Sequence, residues 1–136
     1  PSGVEATEIA RVEAAGTIRA IDSFAPAMNN DGLVTFRGRD ANGQAIYVGD
    51  GTTLRRVIGK DDLVATDLGI AGIGQHVDDP NGWPIFSGAP GINAHGDIAF
   101  IVGLYPQGNN QVEWGSGVFV AYADGDVIFQ DGFENP

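Results

Sequence analysis

The chain has 136 residues, with 18 acids against 7 bases for a formal net charge of −11, and no cysteine. That balance opposes approach to a phosphate backbone or an anionic lipid surface, so nucleic acid is disfavoured as a partner, and the lack of thiols excludes disulfides and thiolate metal sites. The longest apolar run, residues 98–105, is too short to cross a bilayer, which argues against membrane insertion.

A chain of this length can bury a core without covalent staples. Glycine contributes 21 residues, and Asn-Gly or Asp-Gly steps punctuate the sequence at positions 31, 42, 50, 81, 124 and 131. Short strands separated by such turns predict an all-β domain. In chain order, residues 4–15 are the one stretch with some helical composition, but Gly16 ends it and a strand fits it better. Within it Ile9-Ala10-Arg11-Val12 mirrors Leu54-Arg55-Arg56-Val57, so it reads as the last strand of a preceding unit. The chain starts at Pro1 without a methionine, as expected of a processed or excised segment.

Comparing the chain with itself gives the strongest signal. At an offset of 64, Ala25, Pro26, Asn29, Gly32 and Phe36 fall on Ala89, Pro90, Asn93, Gly96 and Phe100, five identities in twelve positions. Proline holds the chain extended, Asn and Gly then turn it, and an alternating strand follows. In the first copy Val34 and Phe36 face one way and Thr35, Arg37 and Arg39 the other, which predicts one buried and one wet face. In the second, Ile98 to Leu104 is apolar on both faces and reads as doubly buried. Each copy continues into a further strand, an Asp-Gly turn and a closing strand, Leu54 to Ile58 and Val127 to Phe129. The expected organisation is a single domain: repeat 1 at about 24–59, an insertion at about 60–85, repeat 2 at about 86–130 and a tail at 131–136. Antiparallel four-stranded repeats of this kind predict propeller-blade-like units, two of them plus an N-terminal strand, with a β-sandwich as the alternative.

Where the copies differ, binding loops are expected, because an insertion adds surface without altering the scaffold. Residues 59–85 carry His76, Asp78, Asp79, Asn81 and Trp83, and residues 105–116 carry Tyr105 and Trp114. Oxygen ligands at alternating positions suit a hard cation, so Asp78, Asp79 and Asn81 are candidate Ca2+ ligands, against an Asx-turn reading of the same residues. Trp83, Trp114 and Tyr105, with His76 nearby, form a candidate sugar-stacking set, against plain packing at the sheet ends. A Ser87, His95, Asp97 or Ser116, His76, Asp78 triad can be written down, but no nucleophile elbow accompanies either, and no catalytic residue is assigned.

The spaced Pro-x-Met/Ile-Asn-x-x-Gly-x-Val/Ile-x-Phe core, followed by Ile/Val-Tyr/Phe-Val and an Asp-Gly turn, resembles the tandem NxxGxxAF-type repeats of bacterial exported proteins, a domain class of unknown function. The resemblance covers most of Ile9 to Phe129. The ending VIFQDGFENP is similar to the Asp-Gly-Phe-Glu tail that closes many exported proteins of Gram-negative bacteria. Together they imply a secreted or cell-surface β-propeller-like repeat protein and supply no catalytic residues. The expected function is a non-enzymatic extracellular domain for binding or assembly, partnered by itself or by neighbouring repeats of a longer chain. A glycan-binding module on the loop aromatics is the alternative, and a hydrolase the third class. No cofactor is expected beyond Ca2+.

Overall fold

The computed structural model describes residues 5–13, 16–74, 85–124 and 127–128. Among them there is no helix, so none is long and apolar enough to cross a membrane. The chain is all-β and forms two antiparallel sheets.

The first sheet contains β1 (Ala20–Ile21), β2 (Ala27–Met28), β3 (Val34–Arg39), β4 (Gln44–Gly49) and β5 (Leu54–Gly59). β3, β4 and β5 form a meander, while β1 and β2 share the free edge of β3, opposite its two ends. The second sheet contains β6 (Leu63–Thr66), β7 (Gly69–Ile73), β8 (Phe86–Ile92), β9 (Ile98–Pro106), β10 (Gly115–Ala121) and β11 (Val127–Ile128). Here β9, β10 and β11 form the meander and β8 takes the edge of β9. Both edge strands are interrupted at the same place: β1 and β2 are separated at 22–26, and β8 shifts register between Ser87 and Gly91. The proline of each copy, Pro26 or Pro90, lies in this interruption, where a missing N–H breaks no ladder bond.

The repeated turns share three hydrogen bonds. The Asn29 N–H donates to Leu33 O at 3.0 Å and the Gly32 N–H to Asn29 O at 3.2 Å; the Asn93 N–H donates to Asp97 O at 3.1 Å and the Gly96 N–H to Asn93 O at 3.0 Å. In both, the asparagine Oδ1 accepts the N–H four residues on, from Leu33 and from Asp97, at 2.9 Å. Gly32 and Gly96 sit at φ +84° and +97°, the left-handed region where a Cβ is strained. The strand pairs match too: Phe36 faces Tyr47 and Phe100 faces Phe119 in the ladders. Their rings stack at centroid distances of 5.5 and 6.0 Å.

Two cores result. Ile46, Val48 and Ile58 of the first sheet meet Phe86, Phe100, Val102, Phe119 and Ile73 of the second, so the sheets lie face to face. On the other side of the first sheet, Phe36, Ala45 and Tyr47 are covered by Ile18, Ile9 and Ala10.

Four expectations change. Residues 9–12 form no strand but lie as irregular chain on the Phe36–Tyr47 face; a closing strand needs a sheet of its own to pair with, and β3's free edge is already taken by β1 and β2. The face of Thr35 and Arg37 is buried, not wet, because the second sheet covers it. From Ile98 to Val102 the second copy's long strand is buried on one side only, since Ala99 and Ile101 are exposed. The insertion after repeat 1 is not all loop: β6 and β7 form a hairpin that extends the second sheet.

Candidate functional site

The seam between the units is built from polar groups planted in an apolar contact. Arg37, on the covered face of β3, donates from Nη1 to Gly88 O of the second unit at 2.7 Å. That carbonyl is available because the break in β8 takes it out of the ladder. The guanidinium lies 4.1 Å from the Phe24 ring centroid and 3.3 Å from Asp22 Oδ2, an ion pair too poorly aligned to be a hydrogen bond. Burial pulls the arginine below its ordinary pKa and Asp22 pulls it back; a guanidinium stays charged throughout. Gln44 at the start of β4 accepts through Oε1 from the N–H groups of Ile85 at 2.8 Å and Phe86 at 3.3 Å. Asn29 joins the two repeated turns directly, its Nδ2 donating to Asn93 O at 3.1 Å. Each of these groups would cost stability if buried unpaired, so together they fix the register of one unit on the other.

The equivalent face of the second unit carries none of this. By turn and ladder register, Ile101 stands where Arg37 stands, Ser116 where Gln44 stands, and Val118 where Ile46 stands. Arg37 is 2% exposed and Ile46 0%, whereas Ile101 is 41% and Val118 59% exposed. Ile101 and Val118 are paired across β9 and β10, and Leu63 and Ile70 lie exposed further along the same face. Among the described residues, the outer face of the second sheet is exposed and aliphatic at Ile101, Val118, Leu63 and Ile70, with the buried Tyr105 lying between the two pairs.

The residues singled out from sequence lie elsewhere. Tyr105 is buried, its ring set against Gly72 and Gly74 where any Cβ would collide. Its hydroxyl donates to Asp61 Oδ1 at 2.7 Å, and burial followed by Asp61 pushes it up to about 12, so it stays protonated near neutrality. Asp61 is the one non-glycine described at positive φ, 72°; its N–H donates to Ile73 O at 2.8 Å and Lys60 Nζ donates to its Oδ2 at 3.0 Å. Burial works to raise this carboxyl, but the Tyr105 and Lys60 hydrogen bonds hold it net below its ordinary value. The strain is thus held by a tie between the β5–β6 turn and the second sheet.

Trp114 is partly buried against the core that holds Leu104, Ala71 and Ile73, with its ring edge 4.0 Å from where a Gly69 Cβ would be. Strand alternation puts Tyr105 and Gly72 on the opposite face, so Tyr105 and Trp114 do not share one platform. His76, Asp78, Asp79, Asn81 and Trp83 lie outside the described residues; among those described, no group of three His, Asp or Glu is placed to hold a cation. His95 faces carboxylates on both ring nitrogens, Asp97 at 3.1 Å from Nδ1 and Asp124 at 3.7 Å from Nε2. Ser87 is on neither side of it in hydrogen-bond contact.

Comparison with family models, curated proteins and solved structures finds no match to this chain. The seam residues Arg37, Gln44 and Asp22 are not evident in the first copy alone. The alignment of the copies offered a partial signal for Arg37 alone, which falls on the apolar Ile101; Gln44 falls on Ser116.

Proposed function

We propose that the chain is a non-enzymatic β-repeat module of an exported protein that works by binding and assembly, each unit offering a sheet face to the next. The observation that carries this reading is the seam. Two like units stack sheet on sheet, share one aliphatic and aromatic core, and are keyed by Arg37 to Gly88, Gln44 to Ile85 and Asn29 to Asn93. Each sheet contains a three-stranded meander with an interrupted strand on its edge, to which the second sheet adds the β6–β7 hairpin; the shared part supports a blade-like unit, and two such units alone make a sandwich.

The other described polar ties point the same way. Asp61 and Tyr105 bind each other, and Asp97 takes the Ala123 N–H at 2.9 Å, so these groups are occupied in holding turns. An extracytoplasmic setting rests on the likeness of the repeats and tail to exported proteins. Sedimentation velocity of the purified chain over a wide concentration range tests the assembly reading. Mass that rises with concentration is expected, and a monomer at every concentration contradicts it.

A further inference from the structure

We propose that the outer face of the second sheet is the self-association surface, and that its occupant is the same face of a second copy, related by a twofold axis. This rests on the assembly reading above and assigns it to one surface. The face holds Leu63, Ile70, Ile101 and Val118, all exposed, on β6, β7, β9 and β10. With strands about 4.8 Å apart, β6 to β10 span roughly 14 Å, with Ile101 and Val118 toward one end of the face and Leu63 and Ile70 toward the other. Gly103 lies within the same face, and the Tyr105 ring fills the place above Gly72 instead of standing clear of it.

The fold itself shows what covers such a face. In the first unit the corresponding surface, with Thr35, Arg37, Ile46 and Val48, is sealed by a sheet of a like unit. The outer face continues that stacking pattern by one step, and no described strand lies over it. Head-to-tail stacking would place on it the Phe36–Tyr47 face of another copy, but Ile9, Ala10 and Ile18 already cover that surface. It would also need the polar keys, and Ile101 and Ser116 replace Arg37 and Gln44. An apolar face without directional keys, on a chain whose other described sheet faces are occupied, pairs with itself and closes as a dimer.

Charge sets a condition on this. Each copy carries a formal −11, so two copies repel at low salt, and screening lets the aliphatic contact form. The dimer should therefore tighten as salt is raised, the reverse of an ion-paired interface.

Sedimentation equilibrium of the wild-type chain, Val118→Lys, Ile101→Lys and Met28→Lys tests the proposal. Met28 is exposed on the edge of the first sheet, away from the outer face. Circular dichroism checks that each variant folds, and either lysine on the face suffices if the other fails. Expected is a mass that doubles and no more for wild type and Met28→Lys, with both outer-face variants held at the monomer mass and wild-type association strengthened by salt. Folded Val118→Lys or Ile101→Lys chains that associate as well as wild type overturn this surface and leave the assembly reading standing. A wild type that never associates overturns both. Mass growing beyond the dimer, or association weakened by salt, overturns the twofold apolar pairing.

Discussion

Arg37 and Ile101 hold the same place in two copies of one unit, yet one is sealed under a neighbouring sheet and the other faces water. The comparison runs through the whole face: Ile46 against Val118, Gln44 against Ser116. Where a sheet lies on top, the unit carries buried polar keys that specify register. Where none does, the keys are replaced by aliphatic or small groups. A strand face is thus tuned to its neighbour more than to its own strand, because a buried arginine or glutamine stabilises only if a partner atom is waiting for it.

The largest effect expected from this contrast is in the core. Ile46→Ala should cost about 2–5 kcal/mol, since a fully buried side chain is lost from the seam and leaves a cavity. Val118→Ala, its equivalent, should change stability by less than about 0.5 kcal/mol. Denaturant unfolding of both measures the difference, and comparable losses would break the equivalence. Next comes the polar key. Gln44→Ala leaves the Ile85 and Phe86 N–H groups without their acceptor and should cost roughly 2 kcal/mol, whereas Ser116→Ala is near neutral. A near-neutral Gln44→Ala, by the same measurement, would show that the seam is not specified there.

The smallest effect concerns pH and distinguishes the two repeated turns. Asp31 and Leu33 stand where His95 and Asp97 stand. The Ala123 N–H, then Asn93 and His95, hold Asp97 down at about 2, and the Asp97 hydrogen bond raises His95 above its ordinary value. Asp97 therefore contributes stability above the ordinary carboxylate range, lost as pH falls through about 2. His95 contributes below the ordinary imidazole range, and that part is lost as pH rises through its raised folded value. His95→Ala should lower the melting temperature slightly near pH 5 and not at all near pH 9. An equal change at both values would mean that the ion pair does not form. Asp31→Ala should show no such pH dependence.

Much of this fold was legible in the sequence. The offset of 64 between Asn29 and Asn93 marked two turns that share three hydrogen bonds, and the alternation of Val34 to Phe36 set the strand that follows. The β6–β7 hairpin was not legible, because Gly69-Ile70-Ala71-Gly72-Ile73 has too few large residues to show a period of two, and its turn at Thr66 to Gly69 lacks an Asn-Gly step. Periodicity also assigned Arg37 to water. It reports which residues share a face and carries no information about what lies on that face. The candidate aromatics divided similarly: Tyr105, read as a loop residue, belongs to a strand whose glycine neighbours leave a slot for its ring.

The chain has no cysteine, which allows the central comparison to be measured directly. Ile46→Cys and Val118→Cys, labelled with a thiol reagent under native conditions at a dilution that dissociates any dimer, place one probe on each equivalent face. Val118→Cys should react at nearly the rate of the unfolded chain, and Ile46→Cys should be slower by on the order of a thousandfold, reacting only when the units open. Equal rates at the two positions would contradict the stacking of one unit on the other.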